Sequence, residues 1–227
     1  MSLAERFTQN FVDEQRYLYL LKGLGNTIVI TIFAVLLGIV LGFLVAIVRT
    51  THERHNNLKI LDTICNVYLT IIRGTPVMVQ LLIMFYVIFA SSTNKILVAV
   101  LTFGINSGAY VAEIVRSGIQ SIDKGQFEAG RSLGFTYSQT MRFIIIPQAI
   151  KNVLPALMNE LIVLLKETSV CGYIGLMDLT KGGDIIRSRT YEAFLPLIAV
   201  AIIYLVIVCG LQALAKKVEW RLRASER

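Results

Sequence analysis

Charged side chains are scarce in this sequence. Of its 227 residues only 16% are Asp, Glu, Lys or Arg, and 55% are hydrophobic, whereas average soluble domains carry about 25% charged residues. Charges are missing altogether from three long stretches, residues 23–48, 74–94 and 193–215. Each stretch is long enough to cross the hydrocarbon core of a bilayer, which takes about 20 apolar residues in a helix. The composition therefore excludes an ordinary soluble domain and predicts an all-α membrane protein.

Residues that would support chemistry within the chain are also few. The two histidines, His52 and His55, lie in a basic loop without H-E-x-x-H spacing, and the three cysteines have no motif spacing. The dipeptide Gly-Lys never occurs, so the chain lacks a phosphate-binding loop of the G-x-x-x-x-G-K-[ST] type. We therefore expect no catalytic cluster, no metal and no cofactor bound by this chain. In a membrane protein the net charge of +7 points to orientation in the lipid rather than to nucleic acid.

Two shorter apolar stretches join the three long ones. We predict about five spans in a single domain over residues 1–227, near 25–48, 63–90, 96–115, 152–170 and 194–215. Residues 1–22 are expected to form an interfacial segment with an aromatic anchor. The first apolar stretch is too long for a signal peptide.

Positive charges lie mainly on one side of these predicted spans. Thirteen Lys and Arg residues fall in the segments 49–59, 116–151 and 216–227, against eight on the other side, with Arg73 left out because it sits at a membrane segment. Lys and Arg are enriched in cytoplasmic loops. We therefore expect the N-terminus outside and the C-terminus in the cytoplasm.

Several polar residues fall inside the predicted spans. A charge near the bilayer centre costs on the order of 2.5–3.5 kcal/mol, so Glu160 needs a partner charge, water or a substrate, unless a structural hydrogen bond offsets that cost. Gly38 and Gly42 form a G-x-x-x-G pair, which indicates either close helix packing or chance. The residues that we assign to a candidate substrate path are Arg73, Gln80, Asn106, Asn159, Glu160 and Lys166.

The segment between the third and fourth spans, residues 117–147, is long and organised. It contains a predicted short helix with Glu128 in its first turn and Gly134 at its end, both favourable at those termini. A rigid short helix on the cytoplasmic face is suited to docking a soluble partner protein.

This segment carries a family resemblance. It resembles the signature loop of binding-protein-dependent ABC importer permeases, whose pattern is E-A-A-x3-G-x9-I-x-L-P. Two positions depart from the pattern, because Gly130 replaces its second Ala and Ile146 replaces its Leu. The spacing is intact. Other segments, such as Arg73–Pro76 and Lys166–Ser169, resemble the polar amino acid branch, and the resemblance covers residues 25–222. The matching positions are Glu128, Ala129, Gly130, Gly134, Ile144, Ile146 and Pro147.

The resemblance implies the fold and partners of a type I ABC importer transmembrane subunit. It implies a multi-pass protein of the bacterial cytoplasmic (inner) membrane that pairs with a second copy or a paralogue. An extracytoplasmic binding protein would deliver an amino acid, and two ATPase subunits that carry ATP and Mg would drive alternating access. The ATPases would dock at Gln126, Phe127, Glu128, Ala129, Gly130, Ser132, Leu133 and Gly134.

The carboxyl of Glu160, with the amide of Asn159, would attract a cationic group and so favours basic amino acids. Alternatively, Glu160 meets the α-ammonium common to all amino acids, or a protein cation such as Arg73. The second class of function is an ion-coupled secondary transporter or channel, in which Glu160 and Lys166 would serve the coupling ion. The docking loop and the lack of internal sequence repeats favour the importer.

Overall fold

Helices account for nearly all of the chain in the computed structural model, which describes residues 2–55 and 57–224, without the side chains of residues 54, 55, 223 and 224. Arg54, Arg223 and Arg227, which enter the charge count, and His55 lie outside the described side chains. The α-helices in the described residues are α1 (Leu3–Phe7), α2 (Tyr17–His55), α3 (Lys59–Gly74), α4 (Val77–Ile83), α5 (Lys95–Gln120), α6 (Lys124–Ser132), α7 (Tyr137–Thr140), α8 (Ile146–Glu167), α9 (Leu179–Thr190) and α10 (Phe194–Ala224).

Four continuous helical runs in these residues are long and apolar enough to cross a membrane. A fifth span results if α3 and the helix after it count as one bent span. The chain is therefore an all-α membrane protein with four or five candidate spans, in agreement with the predicted fold class. The four continuous runs are Tyr17–Glu53, Lys95–Gln120, Tyr137–Ile174 and Phe194–Leu222.

The helices reach further than the apolar stretches that predicted them. Helical turns at Met141–Ile145 join α7 to α8, so this run begins at Tyr137, not near residue 152. The non-helical connections between α5 and α7 are therefore shorter than the expected loop of residues 117–147. Polar residues at the membrane boundary continue a helix without adding to its hydropathy, so apolar length underestimates helix length.

The second predicted span, residues 63–90, is not one straight helix. α3 and the run Val77–Ile88 meet at a bend of 108°. Thr75 is extended, with φ −123° and ψ 144°, immediately before Pro76. The ring of a proline disfavours helical geometry in the preceding residue and removes a backbone donor, so the helix ends at Gly74. Counting uncharged residues detected the span but not this break.

Close packing of α2 against α5 fixes one wall of the interior. A Cβ atom on Gly38 would lie 2.8 Å from Cβ of Ser107, and one on Gly42 would lie 2.5 Å from Cγ1 of Val111. Both distances are shorter than real Cβ contacts. Of the two interpretations of the G-x-x-x-G pair, the structure supports close helix packing, which brings α2 directly onto Ser107.

The buried core lies between these helices, while apolar side chains also cover the outside. Ile30, Leu81, Phe103 and Leu164 are fully buried in one cluster. In contrast, apolar residues along α2 and α10 are exposed, such as Phe33, Val40, Leu205 and Val206. An outward apolar face on a long helix is expected where lipid rather than water surrounds the protein.

The end of the molecule that carries α9 is held by buried polar contacts. Asp178, fully buried, is the N-cap of α9, and its carboxylate accepts hydrogen bonds from the backbone of Lys181 (2.6 Å) and Gly172 (2.8 Å). Burial raises the pKa of Asp178 to about 6, against the lowering effect of these hydrogen bonds. The amide of Asn26 on α2 donates to the carbonyl of Met177 at 2.7 Å, which ties this loop to the first span.

The N-terminal residues pack on the same end. Asn10 is fully buried, donates to Glu192 at 2.6 Å and accepts from the hydroxyl of Thr190 at 2.8 Å. Leu3 and Phe7 of α1 are exposed. The segment predicted as interfacial thus presents apolar side chains outward while its polar contacts hold it to the turn between α9 and α10.

Candidate functional site

A buried carboxyl group lies between α5 and α8. Glu160, on α8, is 9% exposed, and the hydroxyl of Ser107 on α5 donates to its Oε1 at 2.8 Å. Among the described residues Glu160 forms no ion pair. A carboxyl with a single neutral donor is incompletely compensated for its burial, so it is suited to meet a mobile positive group.

Glu160 opens onto a cavity of about 400 Å³, here called the Glu160 cavity. Arg73, Tyr110 and Glu113 line its other side, and Asn152 also reaches it. This volume is within the range of small-molecule sites. An amino acid could therefore be accommodated between Glu160 and the α3–α5 wall.

A second cavity, of about 580 Å³, adjoins the first and is here called the arginine cavity. Arg73, Tyr110 and Glu113 line both, so the two volumes share one boundary. Arg49 and Arg116 add two further guanidinium groups, with Asn66 and Thr70 beside them. The arginine cavity is therefore the more positive of the two.

Glu113 is shared unequally between two arginines. The Nη2 of Arg116 lies 2.7 Å from Oε1 of Glu113 and its Nε lies 3.3 Å from Oε2. Arg73 approaches the same carboxylate only to 3.5 Å, and its guanidinium lies 5.8 Å from the ring centroid of Tyr110. Arg116 is thus the principal partner of Glu113, and Arg73 is held more loosely.

Two residues of the predicted path contact each other rather than line these cavities. Asn106 is buried, and its amide donates to Oε1 of Gln80 at 3.0 Å. The Nε2 of Gln80 donates in turn to the carbonyls of Ile72 (2.8 Å) and Thr75 (3.1 Å) at the bend after α3. The pair therefore connects the broken second span to α5.

Asn159 and Lys166 lie on a different face of α8 from Glu160. Both are exposed in the single chain and line neither cavity. The expected cooperation of Asn159 with Glu160 is therefore not seen within one chain. Adjacent residues of a helix point about 100° apart, so Asn159 and Glu160 do not face the same site although they are neighbours in sequence.

The segment predicted to dock the ATPases contains α6. Asp123 caps its N-terminus by accepting from the backbone of Gly125 at 2.6 Å. Gly134 has φ of +78°, and the backbone of Phe135 donates to Gly130 at 3.0 Å, which closes the C-terminus in a Schellman arrangement. Glu128 lies in the second turn, not the first as predicted, because the helix begins at Lys124.

One face of α6 is exposed and the other is held against the fourth span. Glu128, Ala129, Ser132 and Leu133 are exposed. Gly130 is buried, and a Cβ there would lie 2.6 Å from the side chain of Thr140, which explains the glycine where the family pattern has alanine.

Side-chain contacts attach α6 firmly to the helix that carries Glu160. The rings of Phe127 and Tyr137 stack with centroids 6.2 Å apart, and the amide of Gln148 on α8 donates to Gln126 at 3.2 Å. Twelve residues further along α8 lies Glu160, about 18 Å away at 1.5 Å per residue. α6 and the Glu160 cavity are therefore connected through a single helix.

Some residues of the site were not predicted from the sequence. The residues that were not assigned to the candidate substrate path are Ser107, Tyr110, Glu113, Arg49 and Arg116. Their spacing carries a signal, since Ser107, Tyr110 and Glu113 recur every three residues on one side of α5. Within residues 2–55 and 57–224, no three His, Cys, Asp or Glu side chains come together closely enough to hold a metal ion.

Comparison with known proteins identifies the family. The family described as "Binding-protein-dependent transport system inner membrane component" matches residues 38–224. The fold and the match define a multi-pass inner membrane permease, and the chain belongs to this family. The predicted family is therefore confirmed.

The relatives within the family are amino acid permeases. A putative glutamine transport system permease protein of Rickettsia typhi is 39% identical over 207 residues, which cover 90% of this chain and 93% of that protein. The arginine transport system permease protein of Bacillus subtilis is 35% identical over 211 residues, covering 92% and 94%. These matches favour an ABC importer permease over the ion-coupled transporter that the sequence left as an alternative.

Solved structures agree with the fold. The crystal structure of an amino acid ABC transporter with histidines contains a chain with a TM-score of 0.85 and 42% identity, covering 93% of this chain and 98% of that one. A chain of the inward-facing MetNI methionine ABC transporter has a TM-score of 0.76 at 20% identity and covers 98% of this chain. The second likeness concerns the fold alone.

Proposed function

We propose that this chain is the transmembrane subunit of an ATP-driven importer of amino acids, and that the Glu160 cavity is part of the substrate path. The observation that carries this proposal is the buried, incompletely compensated carboxyl of Glu160 on a cavity wall, in a chain whose relatives are amino acid permeases. Every transported amino acid carries an ammonium group that such a carboxyl attracts.

The substrate class that fits best is the basic amino acids. Their side chains carry a second positive group, so a buried carboxyl distinguishes them from neutral amino acids through one charged contact. One relative is named as a putative glutamine transport system permease and another as an arginine transport system permease. Of these two, arginine carries the additional positive charge that Glu160 would select.

Two ATPase subunits, which would bind ATP and Mg, dock on the exposed face of α6 in this proposal. The contacts of Phe127 and Gln126 with the fourth span then transmit their closure to α8. The N-terminus and α9 face outward, toward a binding protein that delivers the amino acid, as the distribution of Lys and Arg favours.

A second copy or a paralogue completes the path. Asn159 and Lys166 are exposed on α8 in the single chain, and polar side chains within a span face a protein interior or water rather than lipid. A partner permease beside this face would bring these side chains into the shared interior.

The proposed function is tested by purifying the chain from its native membrane and assaying ATP hydrolysis by the isolated complex. We expect an ATPase chain to co-purify, and hydrolysis to rise when an amino-acid-loaded binding protein is added. Recovery of the chain alone, with transport that follows an ion gradient and ignores ATP, would refute the proposal.

The substrate class is tested by uptake competition in proteoliposomes that contain the complex and its binding protein. We expect Glu160→Gln to reduce the preference for L-arginine over L-glutamine by roughly tenfold or more, the usual worth of a hydrogen bond to a charged group. Glu5→Gln, the same substitution at an exposed residue of α1 that lines neither cavity, serves as the control. An unchanged preference in Glu160→Gln would remove the assigned role of Glu160.

A further inference from the structure

A third cavity, of about 360 Å³, lies between α2, α5 and α8 and is here called the lateral pocket. Its walls come from residues 43–51, 115–119 and 137–153. Apart from Thr50, Thr51 and Tyr137 its lining residues are apolar, and none of them lines the Glu160 cavity or the arginine cavity. Its volume is within the range of small-molecule sites, about 300–1,000 Å³. The lateral pocket is therefore a separate binding volume of apolar character.

Small side chains form the floor of the lateral pocket. Ala46 and Ala149 line it and are only 3% and 4% exposed. An apolar cavity of this kind does not hold water, and its walls forfeit dispersion contacts unless another apolar group fills it. The pocket is therefore suited to an apolar occupant.

The mouth of the lateral pocket opens on the outer surface of the helices. Phe43, Ile47, Ile146 and Ile150 line it, and all four are exposed. Exposed apolar side chains on membrane-spanning helices face lipid tails, which are as apolar as these side chains. An occupant can therefore enter from the hydrocarbon of the bilayer.

This mouth faces away from the surface proposed for the second permease. Ile150 and Asn159 both belong to α8 and lie nine residues apart. At about 100° per residue, nine residues place two side chains about 180° apart around a helix. A partner permease on the face of Asn159 and Lys166 would therefore leave the lateral pocket open to lipid.

The two ends of the lateral pocket differ in polarity. Ala46 and Val153 belong to one buried apolar cluster, which marks the apolar end. From that cluster α2 leads on to Thr50 and Thr51, and α8 leads back to Tyr137, so the hydroxyl groups lie toward the other end. This second end adjoins α6, because the ring of Tyr137 stacks on Phe127.

The length of the pocket matches one leaflet of a bilayer. Twelve residues separate Met141 from Val153, or about 18 Å at 1.5 Å per residue. Half of the hydrocarbon core of a bilayer is about 15 Å. An acyl chain can therefore lie along the pocket, with its tail between Ala46 and Val153 and its polar group at the hydroxyl end.

A positive charge stands beside the hydroxyl end. Arg142 follows Met141 and is exposed, with its guanidinium 5.6 Å from the ring centroid of Phe143. Among the described residues it has no carboxylate partner. Arginine and lysine at the membrane surface attract anionic headgroups, so this end of the pocket complements a phosphate in charge.

We propose that the lateral pocket binds one acyl chain of a phospholipid in the leaflet nearest α6, with the lipid phosphate at the end formed by Thr50, Thr51 and Tyr137, near Arg142. The apolar floor, the mouth toward lipid, the length and the polar end all fit this occupant. The inference goes beyond the proposed function and does not depend on the transported substrate.

The test uses the permease–ATPase complex in proteoliposomes that contain phosphatidylglycerol with a photoreactive diazirine near the end of one acyl chain. After illumination, mass spectrometry locates the labelled residues. We expect labelling of residues 43–51 and 146–153 to exceed that of residues 202–206 by about threefold or more, because a chain held in a pocket keeps more contacts than bulk lipid. Residues 202–206 provide the comparison because Ile202, Leu205 and Val206 of α10 are exposed apolar side chains.

Ala149→Leu fills the floor of the pocket and is expected to lower this labelling to the level of residues 202–206. Ala201→Leu, the same change at an exposed position of α10, is the matched control and should label like the wild type. If Ala149→Leu does not fold, Thr50→Phe at the half-buried polar end replaces it, with Thr63→Phe at an exposed position of α3 as its control.

Two results would overturn the proposal: labelling of the pocket in the wild type no stronger than that of residues 202–206, or labelling unchanged in the variant that fills the pocket. Cross-linking of Ile150→Cys to another protein chain of the complex would also overturn it, since protein rather than lipid would then cover the mouth. Transport is not measured, so these results are independent of the proposed function.

Discussion

At Gly38 the packing of α2 reaches the candidate site. A Cβ on Gly38 would lie 2.8 Å from both Cβ and Oγ of Ser107, and that Oγ is the donor to Glu160. The first span therefore sets the position of a hydroxyl that belongs to the third. A residue without any polar function thus contributes to the geometry around the buried carboxyl.

Gly38→Ala is expected to lower the thermal stability of the detergent-solubilised protein, by an amount equivalent to about 1–3 kcal/mol of overpacking. Gly25→Ala is the matched control, because nothing lies within 4 Å of a Cβ at that position of the same helix. The control should keep or slightly raise stability, since alanine favours helix. Equal melting temperatures for the two variants would contradict the packing described here.

Individual residues could be predicted from the sequence where placing them in the membrane carries a large free-energy cost. Glu160 could be found because a charge within an apolar stretch is expensive. Ser107 could not, because serine is unremarkable in a membrane helix and its partner lies 53 positions away. The unequal sharing of Glu113 between Arg116 and Arg73 likewise depends on interatomic distances, which spacing along the chain does not provide.

The bend between α3 and α4 is stabilised by one side chain. Gln80 donates to two carbonyls, of Ile72 and Thr75, which the broken helix leaves without helical partners, and it accepts from Asn106 on α5. Without Gln80, the part-buried carbonyl of Ile72 and the buried amide of Asn106 would lose these hydrogen bonds. Gln80 thus acts as a structural element of the second span.

Gln80→Leu should destabilise the protein by about 1–3 kcal/mol, because the leucine satisfies none of these groups. Thermal unfolding in detergent measures the effect, with Val79→Ala, at an exposed neighbour, as the control. If Gln80→Leu unfolded at the wild-type temperature, the hydrogen bonds at the bend would contribute nothing to stability.

The N-terminus of α9 should respond to pH through Asp178. Its folded-state pKa of about 6 lies above the ordinary value of 3.8, because burial disfavours the charged form. The folded state therefore binds the proton more tightly, so this contribution to stability is complete below pH 4 and is lost as pH rises through about 6.

We expect the difference in melting temperature between the wild type and Asp178→Asn to change between pH 4 and pH 7. The wild type should lose stability relative to the variant as pH rises across that window, since asparagine does not titrate. A difference that stayed constant from pH 4 to pH 7 would mean that Asp178 does not titrate there.

The presence of a helix was easier to predict than the residues at which it begins and ends. Five apolar stretches were recognised, and helices occupy all of them, because apolar length is what a bilayer selects. The break after Gly74 follows from Pro76, whose effect is local and does not alter hydropathy. The early start of the fourth run at Tyr137 was missed since its first residues are polar.

Across the whole molecule, α8 connects the exposed helix α6 to the cavity. Gln148 and Glu160 belong to the same helix, and Gln148 donates to Gln126 of α6. α8 continues from Gln148 to Glu160, although Pro155 between them lacks a backbone donor. The exposed helix α6 and the Glu160 cavity are therefore joined through one helix of the chain.

Glu128→Lys is expected to abolish ATP-driven uptake, because it reverses a charge on the face of α6 proposed to dock the ATPases. Membrane insertion should stay intact, since Glu128 is exposed and its carboxylate makes no contact in the described residues. Uptake into proteoliposomes and the amount of protein in the membrane fraction are measured together. Asp13→Lys reverses a charge at the opposite end and is the control. Full uptake by Glu128→Lys would remove the assigned role of this residue.

The polar face of α8 has a consequence for how the cell makes this protein. Asn159 and Lys166 are exposed on this helix in the single chain. In the bilayer such side chains attract water and distort the surrounding lipid. Under the pairing proposed above, we therefore expect a chain that inserts without its partner to be less stable in the membrane than the assembled one.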